Sequence, residues 1–478
     1  MRAGTLSAIG LALLVAGCGD ERAADPASPQ QEPRDAAPAP AVTTPPAPRT
    51  PFRRVYVTVV DGDTGESVER ARVTVADRTS VMGPRRMVAI RVRPMALPVT
   101  VEAPGYGTRT LRLPFRERRH VAVRLFRPDL QWPMYGVTPR RTQAHHAIRL
   151  RPPFRVVWSR GIGSLIEFPA VVSDGVAYVA NFRGTVYALD MRDGTLIWKR
   201  SVPGGKMASS PAVVGRELVV HGMDGWIRVL DRRNGRVRWT WRAGSPVESS
   251  PIVRGGVDYF GAWNGRVYAL DLKRRRLRWS YRGGYKITSS AAIAKRTLYI
   301  GDYGGRLLAL DARTGRLRWS RSVNGRVYGT PAVARGRVYV PSSTGGSLTA
   351  FSTRGAYLWR VNTGSYVYSS PAVADGRVFF GSYNGRLYAV HARKGSVLWT
   401  QSAGGPVSGA AVVVDGVAYA GSTRGRIIGA DARDGRLVLR FPHGEYVPVS
   451  GNGGRLLLHG YSRLYAVEPA GSRHTASR

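Results

Sequence analysis

Few residues in this chain are placed to do chemistry. Cys18 is the only thiol in 478 residues, so neither an internal disulfide nor a cysteine metal site can form. The carboxylates fall into two groups. Asp190, Asp231, Asp271, Asp311 and Asp431 share one column of a repeating pattern, with Ser352 and His391 as substitutes. A catalytic acid is needed once, so five copies point instead to carboxylates that accept backbone N–H bonds in a turn. Outside that column the main acids are Glu167, Glu248, Asp258, Asp302 and Glu445. They form no visible cluster of the convergent oxygens that a hard cation requires. His145 and His146 are adjacent but have no nearby carboxylate or cysteine, which makes a poor metal site. What remains is a binding set: Lys206, Glu248, Lys286, Arg326, Tyr328, Tyr366, Tyr368 and Tyr446, at alternate positions ahead of successive repeats. Pointing toward one opening, they would make a basic and aromatic rim suited to anionic glycans, wall polymers or an acidic protein loop. The expectation is a binding protein with no catalytic residue, no cofactor and no metal.

The element that must position this rim is a repeat of 40 or 41 residues. Trp158, Trp198, Trp239, Trp279, Trp319, Trp359 and Trp399 mark its period, and Leu439 takes the eighth place. Ser249–Arg282 shows one unit: SSPIV, VDYFGAW, NGRVYALD, a polar turn, then RLRWSYR. Short alternating strands bounded by Asn-Gly and Gly-Gly turns predict an all-β protein. A period of this length with four strands predicts a propeller blade. The small-polar runs, such as Ser209-Ser210-Pro211, are the candidate strand A of each unit. One large ring per blade at a fixed position is most simply a wedge between neighbouring sheets. Seven full units run from Leu165 to Arg440, and an eighth from Glu445 to Pro469 lacks its last strand. A spare strand of that type lies upstream at Phe154–Trp158. The arithmetic predicts eight blades, closed by the N-terminal strand, which would also cover an open sheet edge.

The repeat motifs, a small-residue start followed by Gly-x-(Val/Leu)-Tyr-Ala-Leu-Asp and Gly-x-(Leu/Val)-x-Trp, resemble the pyrroloquinoline-quinone (PQQ)-like repeat family over about 320 residues. The resemblance implies a propeller and admits two functional branches. One is the quinoprotein dehydrogenases, which need an acidic base, a calcium site and a cation beside the quinone. The other is non-catalytic and includes the outer-membrane assembly lipoprotein BamB. The sparse acids and the absence of long inserted loops favour the second. Trp132-Pro133-Met134-Tyr135-Gly136, followed by Arg140, resembles the segment that precedes quinoprotein-type propellers.

Residues 1–18 carry Arg2 ahead of an apolar stretch too short to span a bilayer, which reads as a secretory signal. Val15-Ala16-Gly17-Cys18 resembles a bacterial lipobox, which implies that Cys18 becomes the lipidated first residue. Residues 19–50, rich in Ala and Pro, read as a disordered tether that could reach roughly 100 Å from the membrane. Residues 51–128 read as a separate β-sandwich. VVDGDTGESVERARVTV and the later Ala103-Pro104-Gly105-Tyr106 resemble the transthyretin-like carboxypeptidase regulatory-like family. The remaining boundaries are a connector at 129–152, the propeller at 153–470 and a disordered tail at 471–478. The expected product is a monomeric extracytoplasmic lipoprotein, anchored to the bacterial cell membrane, that binds an envelope protein or an anionic polymer.

The formal net charge of +41 comes mostly from Arg, with six Lys. It fits an anionic partner and equally an Arg-for-Lys codon bias. The exposed run Lys273-Arg274-Arg275-Arg276 fits either lipid headgroups or a solvated turn. Nucleic acid is not an expected partner, because export removes the chain from it.

Overall fold

The computed structural model describes residues 53–471, apart from 76–77, 84–85, 93–97, 113–119 and 203–204. The signal, Cys18 and the tether lie outside the described residues. Nearly every described element is a strand; the exception is a single 3-10 turn at Pro128–Leu130. No described helix is long and apolar enough to cross a membrane.

Two sheets form the N-terminal sandwich. One has the order Val88–Val92, Arg53–Asp61, His120–Leu125. The other has the order Arg78–Val81, Arg72–Val75, Pro98–Glu102, Arg109–Arg112. Alternate residues of both sheets, among them Val55, Val57, Val73, Val99, Val101 and Val123, share one buried core. This is the period-2 burial expected of strands with one solvated face. The turn after the first strand is tied down by Asp61, whose Oδ1 accepts the amides of Asp63 and Thr64 at 2.8 and 3.0 Å. Tyr106 Oη donates to Asp61 Oδ2 at 2.8 Å and holds the second motif against that turn.

Eight further sheets form the propeller. In each blade, antiparallel strands A to D run outward in chain order; blade one comprises Val171–Ser173, Val176–Ala180, Thr185–Asp190 and Leu196–Ser201. Blade eight takes strands A to C from Val449–Gly451, Leu456–His459 and Arg463–Pro469. Its strand D is Phe154–Gly161, paired so that Ala466 faces Trp158. The closure has its own ionic latch: buried Glu468 accepts from Arg155 and, at 3.3 Å, from Arg455.

The tryptophans act as inter-blade wedges. Trp158, Trp198, Trp279, Trp319, Trp359 and Trp399 each donate the indole N–H to a carbonyl of the following blade, at 3.0 to 3.3 Å. Their rings lie against the glycine of that blade's C–D turn; a Cβ on Gly315 would come within 2.6 Å of Trp279. The aspartate column caps those same turns: Asp190, Asp231, Asp271, Asp311 and Asp431 each accept a turn amide at 2.8 to 2.9 Å. The substitutes do the same, His391 through Nδ1 and Ser352 through Oγ.

Strand A begins later than the serine runs suggest. In blade two it is Ala212–Val214, beyond Ser209-Ser210-Pro211. The serines are instead stitches between blades: Ser250 Oγ accepts from Ser210 N, and Ser290 Oγ from Ser250 N, at 3.1 and 2.8 Å. Proline has no amide for the ladder, so the run ends where pairing starts.

Candidate functional site

Strands A line the propeller axis, and an inner edge strand presents unpaired backbone groups. The connector after Leu130 satisfies them by making a lap of the channel. Trp132 exchanges two hydrogen bonds with Val172 of blade one. The carbonyls of Pro133, Pro139, Arg140, Thr142 and Gln143 then accept from Val213, Ile293, Val333, Val373 and Val413, in blades two, four, five, six and seven. Ala144–His145 finally pairs in parallel with strand A of blade seven.

Blade three is served by a side chain. Arg141 is 1 % exposed. Its Nε donates to Ala291 O at 3.0 Å, Nη2 to Ser250 O and Pro251 O at 3.1 and 2.9 Å, and Nη1 to Tyr135 O. Burial lowers its pKa to about 10, which leaves it charged at neutral pH. The sequence marked this stretch as a connector and gave no sign that it plugs the channel. His145 is also part of the plug, with Nε2 3.0 Å from Gln131 O. Burial shifts its pKa down, and among the described residues no group of three or more His, Cys, Asp or Glu could hold a metal.

The other end of the channel is a mouth, formed by the loops that lead into each strand A. It holds a cavity of about 140 Å³ whose lining includes Tyr135, Glu167, Glu248, Tyr328, Tyr368 and Tyr446. Lys206, Lys286, Arg326 and Tyr366 sit two positions earlier in their loops and do not line the cavity. The eight residues singled out from sequence thus fall into two tiers. Residues two apart in an extended segment share a side, and about 3.3 Å of advance per residue separates the tiers by roughly 7 Å along each loop.

The outer tier is less free than a bare basic rim. Lys286 Nζ lies 3.2 Å from the Trp263 ring centroid and 4.9 Å from that of Tyr303. Arg326 stands 5.9 Å from the Tyr303 ring, and Lys206 Nζ 5.6 Å from that of Phe182. Trp263 in turn donates its indole N–H to Glu248 at 2.9 Å. A chain of rings continues from Tyr303 to Tyr328, Tyr368 and Tyr383, with centroid spacings of 4.4, 5.0 and 5.0 Å, and Tyr366 flanks it. The mouth is therefore an aromatic crescent with cations laid on it. Sequence reasoning missed Trp263, Tyr303 and Tyr383, which arrive from the B–C turns. The signal available was the aromatic at the fourth position of FGAW, IGDY and FGSY.

Two acids that stand 81 residues apart in sequence meet at the cavity. Burial, reinforced by the Glu248 charge, raises Glu167 to about 7. Burial also raises Glu248, opposed by the Trp263 hydrogen bond and by Lys286. The other acids have separate tasks. Asp258 pairs with His221 at 2.8 Å, both fully buried, and Asp302 pairs with Arg306 at 2.7 Å.

Comparison with known proteins places this geometry. Over 101 residues the chain is 27% identical to the outer membrane protein assembly factor BamB of Yersinia pestis, a match covering 19% of this chain and a quarter of that relative's length. The crystal structure of BamB from Moraxella catarrhalis superposes with a TM-score of 0.58 at 19% identity, over 68% of this chain and all of that one. A quinohemoprotein alcohol dehydrogenase from Comamonas testosteroni superposes with a TM-score of 0.62 at 15% identity, over 71% of this chain and 80% of that one. At these identities the two superpositions establish the shared propeller fold. Residues 168–440, more than half of the chain, match the family described as the β-propeller of beta-alanine-activating enzyme, and the chain belongs to that β-propeller family.

Proposed function

We propose that this protein is a non-catalytic cell-envelope scaffold, carried on a lipidated Cys18, whose channel mouth captures an acidic partner. The observation that carries the reading is the crescent itself. Trp263, Tyr303, Tyr328 and Tyr368 offer ring faces, while Lys286 and Arg326 supply charge along the same arc. Rings and cations side by side suit the apolar faces and carboxylates of anionic glycans, or an acidic protein loop. The local match to BamB favours the second form of partner, in envelope protein assembly.

The residues at the axis do not suit a quinoprotein dehydrogenase. A quinone with its calcium needs a chamber and convergent oxygens. The axial cavity, about 140 Å³, is smaller than the ~300 Å³ at which small-ligand pockets begin. Tyr135 of the plug lines it, with Oη bonded to Ser370 at 3.1 Å. Glu167 and Glu248 are the two carboxylates of its lining. These residues do not fit the cofactor.

The test is retention on isolated envelope polymer and pull-down from solubilised envelopes. The Lys286→Glu, Arg326→Glu double variant is expected to lose retention, and unchanged retention removes the proposal. A quinone absorbance that survives gel filtration after incubation with PQQ and calcium would favour the enzyme instead.

A further inference from the structure

The face opposite the mouth, where each strand A ends, carries a larger cavity of about 540 Å³. Its walls are Thr138, Pro139, Arg140, Thr142 and His146 of the connector and the strand A ends and A–B turns of blades three to six. Four exposed cations line it: Arg140 from the connector, and Arg254, Lys295 and Arg335 from three consecutive blades. One carboxylate, Asp375, stands among them. Elsewhere on this face the turn acids are matched by arginines, as in Asp174 with Arg232 and Asp415 with Arg149. The four cations have no such carboxylate partner among the described residues.

The turn position itself shows that these charges are placed against local preference. The equivalent residues in blades one to seven are Asp174, Gly215, Gly255, Lys295, Arg335, Asp375 and Asp415, all at positive φ. Gly, Asn and Asp suit that conformation because they escape or offset the Cβ clash. Blades four and five instead put long cationic side chains there, at φ 52° for Lys295 and 45° for Arg335. Arg254 likewise ends strand A of blade three where blades four, five and six have Ala294, Ala334 and Ala374. Strain retained at two neighbouring turns, beside a third cation on strand A of blade three, is the pattern of a ligand site.

We propose that this cavity binds a small polyanion bearing two or more phosphate groups. Its volume lies within the range of small-ligand pockets. Three guanidinium forks and one ammonium match phosphate oxygens in geometry and charge. The proposal concerns a different face from the mouth and stands independently of it.

The test uses the full chain with Cys18→Ser, so that no acyl group tethers it, and isothermal titration with inorganic tripolyphosphate at low salt. Lys295→Asn with Arg335→Asn removes two charges while supplying a side chain that favours positive φ, so the fold is kept or gains stability. Affinity is expected to fall roughly tenfold or more, whereas Arg70→Asn, an exposed positive-φ position on the N-terminal sandwich, leaves it unchanged. Sedimentation with phosphatidic acid vesicles separates the sources. Binding displaced by tripolyphosphate identifies a headgroup, and soluble binding without sedimentation identifies a free ligand. Absence of tripolyphosphate binding by the parent chain, or equal affinity in the double asparagine variant, overturns the proposal.

Discussion

Replacing Arg141 with Ala tests whether the connector is a structural plug or a passive strap. The guanidinium donates four hydrogen bonds, to the carbonyls of Tyr135, Ser250, Pro251 and Ala291, in a site with almost no solvent contact. Each buried carbonyl left without a donor costs about 1–3 kcal/mol. Removing the cation also removes its own desolvation penalty, several kcal/mol, which offsets part of that loss. The net expectation is destabilisation by roughly 3 kcal/mol. Arg141→Met, which keeps most of the volume, should recover only the cavity part of the cost. Urea unfolding followed by tryptophan fluorescence reads the global effect. Hydrogen exchange reads the local one: the amides of Val213, Ile293, Val333, Val373 and Val413 donate to the connector and should lose protection together. A variant within about 0.5 kcal/mol of the parent, with those five amides still protected, would refute the plug.

Asp63 at the sandwich turn accepts from Asn452 Nδ2 at 2.7 Å and Gln131 Nε2 at 3.0 Å, and burial with the neighbouring Asp61 charge raises it from 3.8 to about 7. The folded state therefore holds its proton more tightly than the unfolded chain. Stability should fall as pH rises between those values, by roughly 1–3 kcal/mol from pH 5 to pH 8. Asp63→Asn should flatten that profile in denaturation across pH, and an unchanged slope would count against the buried contact. Gly315→Ala and Gly336→Ala separate backbone from packing. Both glycines have positive φ, 74° and 76°, but only Gly315 meets a tryptophan, whereas a Cβ on Gly336 finds nothing within 4 Å. The first should cost about 2 kcal/mol or more and the second about 1 kcal/mol. Equal losses in thermal melts would remove the wedge role of Trp279.

The propeller was legible because its determinants are periodic and local. Tryptophans every 40 or 41 residues, an Asp ahead of five of the turns and a strand missing from the last unit fix blade type, number and closure without any long-range knowledge. The limits of legibility follow from the same logic. Strand A was placed on the serine runs because they repeat, yet hydroxyls that bond to the next blade look in sequence like strand residues.

The sequence by itself determined which side chains recur, and recurrence is sufficient where each copy acts within its own blade or on the next one. Only the tertiary structure decided what converges on the axis. Glu167 meets Glu248, Trp263 lies under Lys286, and Arg140 joins Lys295 and Arg335, because closing the ring brings residues from different blades to a common centre. The path of the connector belongs to the same class. Its backbone carbonyls, not its side-chain pattern, seek the inner edges of the blades, and backbone groups are identical at every residue and leave no mark in the sequence.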